Sequence, residues 1–218
     1  MMRMAASFGV QESHSFVTPT GIIFSIEGDE PTKTKLIRVT ERTTDLEKVA
    51  LVNNISRKIS SGDLAINEAF DSLKYIESAK LHYPFLLQLA AAAIASGCFL
   101  IMFKGEWRDF SAAFFAGGFG FLSLSYFHQL VPIKFFAEFL ASFIIGLLSF
   151  WFVKAGFGYQ LDKIIIGSVM PLVPGLLITN AVRDLMAGHL VSGLSKGAEA
   201  FLTAFAIGSG IAVVLSFL

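Results

Sequence analysis

The sequence predicts a membrane α-helical protein of about five transmembrane helices, with a small α+β cytoplasmic domain at its N-terminus. Two observations lead to this fold class. The 218 residues are 54% hydrophobic and have a mean hydropathy of +0.66, which is too apolar for a soluble domain of this size. The charges are also unevenly divided, because 21 of the 34 formal charges lie in residues 1–83.

The second part of the chain, residues 84–218, contains five long apolar runs separated by short polar turns. A transmembrane helix requires about 20 predominantly apolar residues, and each run approaches that length. Helices buried in a large soluble core are the alternative, but five such runs leave too little polar surface to cover one. We therefore expect spans at residues 84–103, 110–127, 135–153, 164–182 and 198–218.

Residues 1–83 predict three short strands followed by two helices. Residues 10–17, 21–27 and 33–40 alternate partly between apolar and polar side chains and are separated by turn residues. Thr43, Thr44 and Asp45 form a capping cluster before residues 46–59, which carry an apolar stripe at helical spacing. A second helix is expected to start at Asp63, so that this part is an α+β unit leading directly into the first span.

No constellation for catalysis, metal binding or nucleic-acid binding stands out in the sequence. His14 and Asp29 are a conceivable acid–base pair, but a strand histidine and a turn aspartate are ordinary surface residues. The four histidines and the single cysteine have no ligand spacing. Basic residues are balanced by acidic ones, which argues against nucleic acid as a partner. We therefore expect no enzymatic activity, no metal and no cofactor.

Residues 1–25 lack a basic start followed by an apolar run, and so predict no signal peptide. The charged N-terminal domain is then expected to stay in the cytoplasm, which with five spans places the C-terminus outside. The positive-inside rule supports this orientation only weakly. Three basic residues fall in inner turns (Lys134, Arg183 and Lys196), whereas four fall in outer turns (Lys104, Arg108, Lys154 and Lys163).

Small residues spaced four apart predict close helix packing within the membrane part. The single cysteine, Cys98, is expected to be one more small packing residue, without an internal disulfide partner. The pairs and triplet with this spacing are Ala93/Gly97, Ala113/Gly117, Ala112/Ala116/Gly120, Ala204/Gly208 and Ala206/Gly210.

The fourth span is interrupted by prolines, and this interruption is the strongest functional signal in the sequence. Proline lacks a backbone N–H and clashes with the preceding turn, so the helix is expected to kink or break. In lipid, the freed backbone groups are tolerated only where protein buries them or a wet cavity receives them. The half-helix after the break then directs its N–H groups and dipole at the break, which favours an anionic group. The predicted substrate pathway comprises Pro171, Pro174, Gly175, Thr179, Asn180, Arg183 and Asp184, and the alternative is a kink that only shapes packing.

Ionisable residues within the spans are few, and each is a functional hypothesis. Glu138 and Asp184 are the carboxylates that could couple transport to protons. Asp184 is preferred for this role, because it points about 100° away from Arg183 around the helix and need not pair with it. Glu138 is expected to pair with Lys134, one turn earlier.

Three segments closely resemble the threonine/serine exporter family, in particular its short, YjjP-like members. They are VTPTGIIFS at residues 17–25, DLEKVALVNN at residues 45–54, and MPLVPGLLITNAVRDLMAGHLVSGL at residues 170–194. The resemblance implies a multi-pass protein of the cell (inner) membrane, with a cytoplasmic N-terminal domain. It also implies proton-driven export of threonine and serine, or of a dicarboxylate such as succinate in the YjjP-like branch. In split versions of the family, a second small membrane protein supplies the other half.

Two functions remain open from the sequence. The first is a subunit of a secondary transporter for a small amino acid or dicarboxylate, working with a second small membrane subunit or as a homo-oligomer. The second is a membrane-anchored regulatory or scaffold protein, whose cytoplasmic domain binds a ligand or a partner. The broken fourth span favours the first function.

Overall fold

The computed structural model describes residues 1–28, 31–40, 44–79, 81, 83–131 and 133–217. The chain divides into two compact units, Met1–His82 and Tyr83–Leu218. The protein is mostly helical, with one small three-stranded antiparallel sheet near the N-terminus.

The first unit contains the three predicted strands, in the antiparallel order β1-β2-β3. The β1–β2 turn is tight, with Thr18 paired to Gly21 across it. A short N-terminal helix was not predicted, since its six residues carry no clear periodicity. The elements are α1 (Met2–Ser7), β1 (Glu12–Thr18), β2 (Gly21–Glu27), β3 (Lys33–Arg38), α2 (Leu46–Ser61) and α3 (Ile66–Ser78).

The predicted N-terminal cap of α2 is present, and a glycine ends the helix. Asp45 Oδ1 accepts a hydrogen bond from the Lys48 N–H at 3.0 Å, and Gly62 ends the helix with a φ of +81°, a conformation that glycine adopts without strain. The predicted start of the next helix at Asp63 is wrong. Asp63 accepts a hydrogen bond from Ser61 at 2.6 Å instead, and α3 begins at Ile66. Thr43 and Asp29, which the sequence also singled out, lie outside the described residues.

The second unit is a helical bundle. Four of its helices are long and apolar enough to cross a membrane, and a bent pair raises the number to five if it counts as one span. This count covers the described part of the chain. The elements are α4 (Phe85–Met102), a 3₁₀ turn (Trp107–Asp109), α5 (Phe110–Leu130), α6 (Lys134–Lys154), α7 (Leu161–Val169), a 3₁₀ turn (Met170–Leu172), α8 (Gly175–Met186) and α9 (Leu190–Ser216).

The first three predicted spans agree with α4, α5 and α6 to within three residues, but the fifth does not. Helix α9 begins at Leu190, eight residues before the predicted start, so the expected polar turn at residues 183–197 shrinks to residues 187–189. Gly188 has a φ of +82°, which lets the chain reverse there. The His189 N–H bonds the Asp184 carbonyl at 2.9 Å and closes the turn.

Small residues bring the helices of the bundle close together, as predicted for most of the pairs. A Cβ on Gly117 would collide with the Ser96 side chain, and one on Gly210 would collide with Ser142. The prediction is wrong for Ala204/Gly208, since both residues are exposed. It is also wrong for Cys98, which lies on an exposed side of α4. Four-residue spacing identifies a stripe of small residues but does not tell which stripe faces a neighbouring helix.

Candidate functional site

The predicted helix break is present between α7 and α8. The two halves are bent by 64° relative to each other. Helix α7 tightens into the 3₁₀ turn that contains Pro171, and α8 starts immediately after Pro174. Proline cannot donate the hydrogen bond that would continue the helix, which explains the interruption at this point. The Ile178 N–H bonds the Pro174 carbonyl at 3.0 Å, so regular α-helix resumes within one turn.

The structure distributes the predicted pathway residues over different environments. Pro171, Pro174, Asn180 and Asp184 are half-buried, whereas Gly175, Thr179 and Arg183 are exposed. The Thr179 hydroxyl donates to the Gly175 carbonyl at 2.9 Å and is therefore engaged within its own helix. Arg183 forms no ion pair with any described residue. These seven residues share α8 and the turn before it, but their side chains do not converge on one point.

Asp184 instead meets two residues of α9 that the sequence analysis did not select. Its Oδ2 accepts a hydrogen bond from the Ser192 hydroxyl at 2.7 Å and another from Lys196 Nζ, also at 2.7 Å. A carboxylate oxygen that accepts both a hydroxyl and an ammonium proton at this distance is ionised. The arrangement fixes the orientation of Asp184 and neutralises its charge with Lys196.

Glycine makes this contact between α8 and α9 feasible. A Cβ on Gly193 would lie 2.7 Å from Leu185 Cγ and 3.0 Å from the Leu185 backbone nitrogen, closer than real Cβ contacts. Because Gly193 has no Cβ, α9 approaches the last turns of α8 closely enough for Ser192 and Lys196 to reach Asp184. Helix α9 is the only long helix among the described elements with which α8 makes extensive contact.

A second polar cluster joins α6 to α9. Lys134 Nζ lies 3.0 Å from Glu199 Oε1 and 3.9 Å from Glu138 Oε1. The predicted Lys134–Glu138 pair is thus present, but the nearer partner of Lys134 is Glu199. Glu138 is only 4% exposed and Thr203 only 1%. The Thr203 hydroxyl lies beside the Glu138 carboxylate, yet neither Thr203 Oγ1 nor Glu138 Oε2 has a well-formed hydrogen bond to a described residue.

The two clusters are connected by one face of α9. Ser192, Lys196, Glu199 and Thr203 are spaced by four, three and four residues, which places them in one stripe along the helix. The first two bond α8 and the last two face α6. This stripe is not evident from the sequence when residues 183–197 are taken as a turn. Continuing the helical spacing backwards from Thr203 would have revealed it.

A buried aspartate, Asp109, connects two parts of the bundle. It lies far from the two polar clusters along the helix axes. Asp109 is fully buried, and its Oδ1 and Oδ2 accept hydrogen bonds from the backbone N–H groups of Tyr159 and Gln160 at 2.7 and 3.1 Å. It therefore ties the start of α5 to the loop before α7. Gly167 of α7 packs so close to α4 that a Cβ would lie 2.9 Å from the Leu100 backbone nitrogen.

The sheet of the first unit brings together three residues that could bind a cation. The register pairs Glu12 with Glu27, and His14 Nε2 lies 3.4 Å from Glu12 Oε1 and 4.0 Å from Glu27 Oε1. The sequence analysis did not foresee this grouping, because it depends on strand register. All three residues are exposed, and exposed acidic groups without a buried ligand set do not define a metal site.

Comparison with known proteins agrees with the membrane architecture. The family model described as "Putative threonine/serine exporter" matches residues 1–218. Proteins named "Probable succinate transporter subunit YjjP" from Klebsiella aerogenes and Escherichia coli are each 24% identical over 98% of this chain and 83% of their own length. An uncharacterized protein of Schizosaccharomyces pombe is 27% identical over 82% of this chain, which covers 22% of that longer protein.

No solved structure matches the chain. The family match extends over all 218 residues. It includes the three segments whose resemblance was noted in the sequence, among them the broken helix and the turn that follows it. The chain therefore belongs to the threonine/serine exporter family.

Proposed function

We propose that this chain is a subunit of a secondary membrane transporter that exports a small hydroxy amino acid or a dicarboxylate, driven by the proton gradient. The observation that carries the proposal is the α7–α8 break, followed by an oriented Asp184, in a chain of this family. Relatives named as probable succinate transporter subunits support the same function. The proposal assigns the chain no chemical reaction, only binding and movement of the substrate.

The break supports a binding role because the N–H groups of Leu176 and Leu177, at the start of α8, have no hydrogen-bond partner among the described residues, whereas the Gly175 N–H bonds the Val173 carbonyl at 2.8 Å. No side chain caps this helix, and Pro174 precedes its first residue. An N-terminus of this kind attracts the carboxylate that hydroxy amino acids and dicarboxylates share. Asn180 is half-buried five residues further along, roughly 7.5 Å along the axis. Its amide can then contact the other end of a short substrate.

Asp184 belongs to a later point on the same path. It lies nine residues after Gly175, roughly 13.5 Å along α8, which is too far for a four-carbon substrate to touch both. We therefore place Asp184, Ser192 and Lys196 at the end of the pathway rather than in the initial binding site. An anionic substrate that arrives there would compete with Asp184 for Lys196.

The word "subunit" in the names of the relatives supports a partner for this chain. We propose a second small membrane protein of the same family, or further copies of this chain, as that partner. Exposed apolar residues cover the side of α8 that does not face α9, including Leu176, Val182 and Met186. Lipid or a partner helix would cover this side in the membrane.

Counterflow in proteoliposomes tests the proposed function. The purified chain would be reconstituted with and without a second small membrane protein of the same family, and the proteoliposomes would be loaded with unlabelled threonine, serine or succinate. We expect uptake of the matching labelled compound against its gradient, in at least one of the two preparations. Absence of uptake for all three compounds in both preparations, with correctly folded protein, would contradict the proposal. That result would favour the alternative, a membrane-anchored regulatory or scaffold protein.

A further inference from the structure

The formal charges of five groups along the α9 stripe and the neighbouring helices do not sum to zero. Asp184 pairs with Lys196 at 2.7 Å, and Glu199 pairs with Lys134 at 3.0 Å. Glu138 remains, 3.9 Å from a lysine that is closer to another carboxylate. Three carboxylates and two lysines carry a net charge of −1 when all are ionised. Glu138 is the most buried of the five, and its distance to a lysine is the longest.

Glu138 is also the carboxylate whose surroundings suit a bound proton. A buried charge without a full set of partners is costly, and the cost disappears when the carboxylate is protonated. Glu138 Oε2 is buried without a hydrogen-bond partner among the described residues, and so is Thr203 Oγ1 beside it. The Thr203 hydroxyl can direct its own hydrogen at the ionised carboxylate, but no well-formed hydrogen bond joins the two groups. When Oε2 is protonated, the carboxylic acid can donate instead and the Thr203 hydroxyl oxygen can accept, so the same pair can serve both protonation states.

We propose that Glu138 and Thr203 form the proton-binding site of this protein, with Lys134 and Glu199 as the charge pair that adjusts to it. This assignment replaces the sequence-based preference for Asp184, which already accepts two hydrogen bonds as a carboxylate. Its link to export rests on the proposed transport function. Binding of the proton does not depend on that function.

Among the described elements, the helices packed against α6 place few charged groups near Glu138. Helix α9 contributes Glu199, and α6 itself contributes Lys134. Helix α5 contributes His128, which is close enough to interact with Lys134. The charged residues of α7 lie in its first turn, which follows the C-terminal end of α6 in the chain. That end, at Lys154, is roughly 24 Å from Glu138 along the axis of α6.

The proton step balances with water as donor and acceptor. Uptake forms an O–H bond on Glu138 from a hydronium ion and leaves water, and the net charge of the five groups changes from −1 to 0. Lys134 then stays with Glu199 alone. Release returns the proton to water and restores the charge on Glu138, which draws Lys134 towards it and away from Glu199. The α6–α9 contact thus has two charge arrangements, which is what coupling to a proton gradient requires.

Infrared difference spectroscopy of the full chain in liposomes tests the site without any transport measurement. Titration with pH should reveal one carbonyl stretch of a protonated, buried carboxylic acid, which shifts in heavy water. We expect Glu138→Gln to abolish this band, and both Asp184→Asn and the exposed-loop control Glu106→Gln to retain it. Persistence of the band in Glu138→Gln, its loss in Asp184→Asn, or its absence from the wild-type chain at every pH would each overturn the assignment.

A second variant keeps the test decisive if Glu138→Gln does not fold. Thr203→Val has nearly the same shape but no acceptor oxygen, so the band should remain and move to higher frequency as its hydrogen bond is lost. An unchanged frequency would refute the Glu138–Thr203 pairing. In the flux assay, Glu138→Gln should keep exchange without a gradient and lose accumulation driven by a pH gradient. If the band behaves as expected and no flux is ever seen, the transport proposal fails and the proton site stands.

Discussion

A carboxylate that accepts two hydrogen bonds from side chains at 2.7 Å is held in one orientation, and Asp184 is such a group. Its donors come from α9, whereas its sequence neighbour Arg183 is exposed. Asp184 and Lys196 therefore form one polar unit, and in the proposed function an anionic substrate opens it by competing for the lysine. This role needs the negative charge of Asp184 more than its hydrogen-bonding capacity.

The first prediction follows from that unit. Asp184→Asn should abolish flux, because the amide oxygen can still accept a hydrogen bond from Lys196 but carries no negative charge. Asn180→Ala should have the same effect by removing the amide beside the break. The measurement is counterflow of the transported compound in proteoliposomes, with insertion and purification yield as the check on folding.

Exchanging the two charges tests whether Asp184 and Lys196 matter only as an ion pair or also as part of the substrate pathway. In the double variant Asp184→Lys with Lys196→Asp, the ion pair can re-form with opposite polarity, so the protein should fold and insert normally. Flux should stay absent, because the lysine is no longer on α9. Wild-type flux in both Asp184→Asn and Asn180→Ala would show that the break is only a structural kink.

Asp109 gives the second prediction, which concerns stability rather than transport. Asp109→Asn should lower the free energy of unfolding by about 1–3 kcal/mol. The NH₂ group of the new asparagine replaces one carboxylate oxygen and cannot accept, so one of the two backbone N–H groups loses its acceptor. The measurement is thermal unfolding in detergent. Asp162→Asn is the matched control, since Asp162 is exposed and lies only two residues after Gln160. An equal loss in both variants would mean that Asp109 has no special role as an anchor.

At the scale of elements, α9 organises the candidate site. It is the longest helix of the protein, with 27 residues, and it presents Ser192 and Lys196 to α8 and Glu199 and Thr203 to α6. Lys196 and Glu199 are three residues apart, roughly 4.5 Å along the axis. A shift of α9 along either neighbour would therefore disturb both ion pairs together. The stripe provides a physical connection between the proposed pathway and the proposed proton site.

The third prediction tests the close approach of α8 and α9. Gly193→Ala should destabilise the protein by about 1–3 kcal/mol, as expected for overpacking, because the new methyl group would press on the Leu185 backbone. Gly208→Ala is the matched control on the same helix. Nothing lies within 4 Å of a Cβ at Gly208, and alanine favours helix over glycine by up to about 1 kcal/mol. The melting temperature should fall in the first variant and stay equal or rise in the second. The reverse order would exclude the proposed α8–α9 contact.

The elements could be predicted from the sequence more completely than the site. Long apolar runs and the prolines of the fourth span determine local structure, so α4, α5, α6 and the break lie where expected. The start of α9 was missed because Ser192 and Lys196 look like turn residues when composition alone is considered. The partners of Asp184, and Glu199 as the nearer partner of Lys134, were missed for another reason. They depend on which helices lie side by side, and spacing within one helix carries no information about that.

At the scale of the whole molecule, the two polar clusters lie at the same end of the second unit. The chain order places the start of α6, the end of α8 and the start of α9 there, while Asp109 lies at the other end of α5. Basic residues do not distinguish the two ends. Three lie near the clusters (Lys134, Arg183 and Lys196) and four at the opposite end (Lys104, Arg108, Lys154 and Lys163). The orientation in the membrane must therefore come from experiment.

The last prediction concerns this topology. We expect the N-terminal unit in the cytoplasm and five spans, with the bent pair α7–α8 crossing the membrane as one of them, so that the two chain ends lie on opposite sides. If the bent pair is a re-entrant loop instead, only four helices cross and the two ends lie on the same side.

Single cysteines introduced by Ser13→Cys and by Ser216→Cys, in a Cys98→Ser background, distinguish the two arrangements. With an impermeant maleimide on intact cells, Ser216→Cys should be labelled, and Ser13→Cys should be labelled only after lysis. Protection of both positions would indicate the re-entrant loop, and labelling of Ser13→Cys from outside would reverse the orientation. Labelling of Ser13→Cys from outside would also place the Glu138 cluster on the opposite side of the proton gradient, because the start of α6 follows α4 and α5 and its side depends on the direction of those two spans.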